Sequence, residues 1–140
     1  MSYAKDDNVL DLRDIADHIR EMIAELEDES TDEYEQDQIN GTIRIYAATL
    51  VEIGYFGTGA VDEADPEVLA DAFDYLSDAS TGLLIREDYF VEYAEEMCRE
   101  VGYMPDVIPE WIVVDWQKTA DNLKVDYSEI QHDGISYLFR

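Results

Sequence analysis

Apolar residues recur at steps of three and four from Val9 to about Asp28, at Leu12, Ile15, Ala16, Ile19, Met22, Ile23 and Leu26. That period keeps them on one side of an α-helix, and Asp11, Asp14, Asp17, Glu21, Glu25 and Asp28 fall on the other. Ser30, three residues ahead of Glu33, has capping-box spacing and predicts a second helix through Tyr34 and Ile39. The two would form a helical hairpin. Asn40-Gly41 is expected to interrupt it. Farther on, Ile43, Tyr46, Ala47, Leu50 and Ile53 fit a helix, whereas the β-branched run at residues 42–46 also suits a strand. The helical reading is preferred.

Gly54, Gly57 and Gly59 mark a loop. Asp65-Pro66 pairs an N-cap with a first-turn proline and opens a helix to about Asp78, with Val68, Leu69, Ala72, Phe73 and Leu76 inward. Its outer positions are Glu67, Asp71, Asp74 and Asp78. A short apolar stretch, residues 83–85, precedes a helix from about Glu87 to Val101, whose outer face carries Asp88, Glu92, Glu95 and Glu96 and which Gly102 would stop. Pro105 and Pro109 punctuate a connector. Asp115 caps a short helix that turns Trp116, Ala120 and Leu123 inward. The chain closes on a β-hairpin, residues 127–131 and 135–139, around the tight-turn pair Asp133-Gly134.

The fold class is therefore α+β and mostly helical. It comprises an N-terminal helical hairpin, two further acidic helices, and a short C-terminal helix followed by a β-hairpin. Residues 1–60 form an N-terminal helical region and residues 61–140 an acidic α+β region, or the two make one continuous domain. A chain of 140 residues that is 46% hydrophobic can bury a core, so its charge does not signal disorder.

Charge changes the picture most. Thirty-five Asp and Glu face nine Lys and Arg, a formal net charge of −26. The excess is −8 over residues 6–29, −4 over 30–40, −7 over 61–80 and −4 over each of 81–101 and 102–140. Acid thus runs through folded segments instead of a tail. Nucleic acid and anionic membranes are repelled by such a field, and a basic partner is attracted. At one charge per ~1.7 Å of duplex axis, −26 corresponds to roughly 44 Å, or about 13 base pairs.

Candidate chemistry is sparse. Cys98 is alone, which excludes an internal disulfide and a cysteine-rich zinc site, and it sits in an acidic helix that opposes thiolate formation. His18 and His132 lie at opposite ends of the chain and read as solvent-facing. Carboxylates are too abundant for one acid/base pair to stand out, and neither a calcium loop nor a phosphate-binding glycine loop is present. No enzyme activity, cofactor or metal is expected. The N-terminus lacks the basic-then-apolar order of a secretory signal and no apolar run approaches ~18 residues, so a soluble chain in the cytoplasm is expected.

Residues 108–111 (Ile-Pro-Glu-Trp), 114–123 (Val-Asp-Trp-Gln-Lys-Thr-Ala-Asp-Asn-Leu), 126–130 (Asp-Tyr-Ser-Glu-Ile) and 133–137 (Asp-Gly-Ile-Ser-Tyr) together resemble the ArdA-type antirestriction proteins. The acidic helix before them, residues 85–96, is similar to one in phage members of that group. The likeness covers about residues 83–140; the N-terminal half departs from the family, although residues 43–50 are faintly similar to its opening strand. The resemblance implies an elongated DNA mimic of phage or mobile-element origin that occupies the DNA channel of a type I restriction-modification enzyme. Within the motif, Trp111, Trp116, Tyr127 and Tyr137 are expected as core or dimer contacts.

The expected function is inhibition of a host defence or DNA-processing enzyme by DNA mimicry, with type I restriction-modification as the foremost target. Alternatives are an acidic adaptor that sequesters a basic protein, an inhibitor of a CRISPR effector, or an ordinary halophilic acidic domain. Two sets of acids are expected to bind the partner: Asp11, Asp14, Asp17, Glu21, Glu25 and Asp28 in one, and Glu67, Asp71, Asp74, Asp78, Asp88, Glu92, Glu95 and Glu96 in the other. An open strand edge on the hairpin also points to a homodimer.

Overall fold

The computed structural model describes residues 8–57, 65–105 and 107–140. In chain order the elements are β1 (Val9–Asp11), α1 (Leu12–Glu27), α2 (Glu33–Ile53), α3 (Pro66–Ala79), β2 (Leu83–Arg86), a 3₁₀ turn (Glu87–Tyr89), α4 (Phe90–Glu100), α5 (Trp116–Lys124), β3 (Ser128–His132) and β4 (Ile135–Phe139). Helices dominate and the class is α+β.

Four helices begin on an aspartate. Asp11, Asp32, Asp65 and Asp115 each accept a first-turn amide of α1, α2, α3 and α5, satisfying donors that would otherwise be orphaned. The second helix thus starts from Asp32, not Ser30, whose hydroxyl donates to Asp28 at 2.8 Å. Asn40-Gly41 does not interrupt it. A mid-helix glycine costs about 1 kcal/mol, which burial of Ile39, Ile43, Tyr46 and Leu50 on the same helix outweighs. Residues 43–50 are accordingly helical and not an opening strand. Helix α2 ends at Gly54, left-handed at φ 92°; Gly59 of the expected loop lies outside the described residues.

The strands form one antiparallel sheet in the order β1-β2-β4-β3. Val9 to Asp11, expected as the start of the first helix, is its first strand, and the apolar stretch at residues 83–85 is central within it. The hairpin turn falls where expected: Asp133 and Gly134 take φ of 53° and 76°, as a two-residue turn that follows strand twist requires.

Alternation along the strands builds two cores. Leu10, Leu84, Ile130, Tyr137 and Phe139 face α1, α2 and α3, where they meet Ile15, Ile19, Leu50, Leu69 and Phe73. Val9, Ile85 and Leu138 face the other way, towards Phe90 and Ala94 of α4 and Ala120 of α5. The molecule is a three-layer stack: three helices, the sheet, two helices. The larger core draws on residues from Leu10 to Tyr137, so it runs across the expected boundary at residue 60.

Gly82 fixes the junction of α3 and β2. Its φ is 77° and a Cβ there would lie 3.2 Å from the Ser77 carbonyl oxygen, while its own carbonyl accepts the Leu12 amide at 2.8 Å. The backbone at this point therefore joins the start of α1 to the sheet.

Leu84 is fully buried in the larger core. Replacing it with Ala should destabilise the protein by about 2–5 kcal/mol, in one cooperative urea transition. Loss of the far-UV signal in two separated steps would show that the layers fold independently.

Candidate functional site

Helices α1 and α3 lie antiparallel, because Arg13 near the start of α1 reaches Asp78 near the end of α3 at 2.6 Å, while Arg20 in the middle of α1 bonds Asp74 at 2.7 Å and Asp71 at 3.0 Å. The apolar stripes face the sheet, so the acids are left on the outer surface of the layer. Asp14, Asp17, Glu21, Glu25 and Asp28 are exposed on α1 and its C-cap, and Glu67, Asp71 and Asp78 are exposed on α3, with Asp74 half-buried.

The expected acids do not share one role. Asp11 is spent on the α1 cap, accepting the Arg13 amide at 2.8 Å. Asp28 accepts both the amide and hydroxyl of Ser30, which hold its carboxyl below the usual range. Asp71, Asp74 and Asp78 are bound by Arg13 and Arg20 and serve as staples between α1 and α3. Asp17 stands 3.9 Å from Arg20. Glu21, Glu25 and Glu67 form no ion pair among the described residues.

The acids of the other layer are separated from these by the sheet. Asp88 makes a two-pronged bond with Arg86 at 2.9 and 3.0 Å, Glu95 pairs with Arg99 at 3.1 Å, and Glu96 accepts the Tyr89 hydroxyl at 2.9 Å. Glu92 is exposed. The second expected set thus divides: Glu67, Asp71, Asp74 and Asp78 join the α1 acids, while Asp88, Glu92, Glu95 and Glu96 lie on the opposite side.

Acids missing from both sets enlarge the first surface. Glu27, in neither set, faces the expected Glu67 across a groove of about 370 Å³ between α1 and α3, also lined by Arg20, Ile23, Ala24 and Asp71. Glu29, Glu33, Glu35 and Asp37 continue the acid across the α1–α2 turn. Only Glu29 lies in the turn, where no period marks a stripe; Glu33, Glu35 and Asp37 open α2, where acids at every second residue do not follow the helical period. Counting described residues of 8–82, the three-helix layer carries 18 acids against Arg13, Arg20 and Arg44.

No protein-family model matches this chain. No curated protein and no solved structure matches it either. Among the described residues, no group of three or more His, Cys, Asp or Glu is placed to hold a metal ion, and no helix is long and apolar enough to cross a membrane.

The histidines are not solvent-facing. His18 Nδ1 lies 2.7 Å from the Tyr46 hydroxyl, the His132 ring stacks on Tyr46 with centroids 5.6 Å apart, and its Nδ1 is 2.6 Å from Thr49 Oγ1. Residues from opposite ends of the chain meet on α2. Thr49 Oγ1 also lies 3.0 Å from the Ile45 carbonyl; with its one hydrogen given to that carbonyl, the tautomer of His132 that carries the proton on Nδ1 donates to Thr49. Burial raises the Tyr46 hydroxyl and lowers both imidazoles, against the opposing pull of Glu21 and Glu25 on His18 and of Asp133 on His132.

The sign follows from linkage. Folded, both rings bind protons less readily than at their ordinary value of 6.5, so their stabilising contribution is present above that pH and is lost as pH falls through the lowered values. His132→Asn, whose amide can still donate to Thr49, should flatten the decline in urea midpoint between pH 6.5 and about 5. An unchanged decline would remove His132 from the account.

Proposed function

We propose that the three-helix layer is a DNA-mimicking surface that occupies the DNA channel of a host defence enzyme, foremost a type I restriction-modification complex. One contrast carries the reading. A helix favours cations in its last turn, where the macrodipole is negative. Helices α4 and α5 obey this with Arg99 and Lys124, whereas α1, α2 and α3 have no basic residue there, and α1 ends on Glu25, Glu27 and the cap Asp28. The acids at the N-termini of these helices serve their own helices as caps and first-turn charges, but those at the C-terminal ends do not.

Their density suits the proposed role. The described net of −15, eighteen acids less three arginines, corresponds to roughly 26 Å of duplex at ~1.7 Å per charge. Helix α1, with 16 residues, is about 24 Å long at 1.5 Å per residue. The ArdA-like motif at residues 108–137 supports the same class of target. On this reading the chain is not an enzyme and needs no cofactor; its site is bacterial cytoplasm, where such targets reside.

Asp71, Asp74 and Asp78 are poor positions for a test, since neutralising them frees Arg13 and Arg20 and perturbs packing. The informative set is Glu21, Glu25, Glu29 and Glu33. Changing one to Gln should alter inhibition of a purified type I restriction enzyme less than about fivefold, each exposed contact being worth about 0–1 kcal/mol. Changing all four should weaken inhibition by tenfold or more and leave folding intact. Duplex DNA carrying the recognition site should compete with the wild-type protein. Simultaneous binding of DNA and protein to the enzyme would instead favour an acidic adaptor.

A further inference from the structure

The charged positions that cross the α1–α3 seam form a ladder whose last rung differs from the others. On α1 they fall seven residues apart, at Arg13, Arg20 and Glu27. On the antiparallel α3 they run back through Asp78, Asp74, Asp71 and Glu67, all at steps of three and four. Arg13 closes the first rung on Asp78 at 2.6 Å, and Arg20 closes the second on Asp74 and Asp71 at 2.7 and 3.0 Å. At the third rung Glu27 faces Glu67. Two carboxylates stand where the pattern calls for a cation, and neither has an ion-pair partner among the described residues.

The seam is also open at this rung. Ile23 and Ala24 line the groove of about 370 Å³ between the acids, and a continuation of about 390 Å³ past Ile23 adds Leu26 and Pro66. An apolar floor under acidic walls suits a side chain with an aliphatic stem and a charged tip. A simple metal ion would use the carboxylates and leave the floor unused.

We propose that this groove takes an arginine side chain of a protein partner, whose guanidinium closes the third rung between Glu27 and Glu67. Arg20 displays the same chemistry one rung away, its guanidinium bridging two carboxylates of α3. A planar fork of five N–H donors serves carboxylates on both walls at once, whereas an ammonium is a compact and strongly hydrated point charge. The groove therefore adds one localised contact to a diffuse field. Exposed acids offer charge alone, which salt screens, while a stem laid over Ile23 and Leu26 also removes apolar surface from water.

This proposal rests on the three-helix layer being the surface that meets a basic partner, but its test contains no restriction enzyme, so each can fail without the other. The probe is the blocked peptide acetyl-Gly-Arg-Gly-amide, titrated into the isotope-labelled full chain at constant salt and followed by backbone amide shifts. Saturable shifts centred on Ile23, Ala24, Glu27 and Glu67 are expected, with a dissociation constant of ~1–10 mM. The citrulline peptide, of like shape but uncharged, should leave those amides unmoved, and the lysine peptide should bind roughly threefold more weakly or worse. Ala24→Leu fills the groove without changing any charge, and Leu is close to Ala in helix propensity. It should keep the far-UV spectrum and weaken the arginine peptide by roughly fivefold or more. Glu27→Arg should close the rung from within, hold or raise the urea midpoint, and abolish the shifts at Ala24 and Glu67. Shifts spread evenly over the acidic face, or undiminished in Ala24→Leu, would overturn the proposal, because the field alone would then explain the attraction. A lysine peptide that binds as tightly as the arginine peptide would overturn the choice of occupant.

Discussion

Leu84 and Ile85 are neighbours on a four-residue strand, and their side chains enter opposite cores. Everything else depends on that burial of the sheet from both sides. Helices α1–α3 need Leu84 and its row to cover their apolar stripes, and α4 and α5 need Ile85 and Leu138. An antiparallel sheet commonly leaves one face to water; this one cannot, because α4 and α5 are short and their apolar stripes have no other cover. The consequence is that each helical layer turns a whole polar face outward, and two faces of different character result.

One outer face, that of α1–α3, holds most of the acid and is knitted by two arginines. Arg13 and Arg20 bind Asp78, Asp74 and Asp71 across the α1–α3 seam. All of these groups are substantially solvated, so the pairs count for less as stability than as alignment. The other layer orders its charge as helices usually do, with Arg86–Asp88, Glu95–Arg99 and basic last turns. The difference between the layers, more than the total of −26, motivates assigning the proposed function to the first.

Much of the helical layer was legible in the sequence because its signals are local and long. The α1 stripe repeats over sixteen residues, and Asp65-Pro66 and Asp133-Gly134 state a helix start and a turn in two residues each. Strands β1 and β2 were not legible: three and four residues show no alternation, and a strand buried on both faces reads as a plain apolar run. Asn40-Gly41 misled because local propensity yields to tertiary packing of Ile39 and Ile43. The acids were legible as stripes, but their division into caps, staples and unpaired groups requires knowing that α1 lies beside α3. The His18–Tyr46–His132 contact needs the whole fold, since nothing local links the three.

The central claim is that the α1–α3 acids act as a field of many weak contacts in place of phosphate. The most direct measurement is the affinity for a purified type I restriction enzyme as a function of salt. Raising NaCl from about 50 to 200 mM should weaken binding by at least tenfold, in a near-linear log–log relation as for duplex DNA, with a shallower slope when Glu21, Glu25, Glu29 and Glu33 are neutral. Tight binding that is indifferent to salt, with the same slope in the variant, would contradict the account.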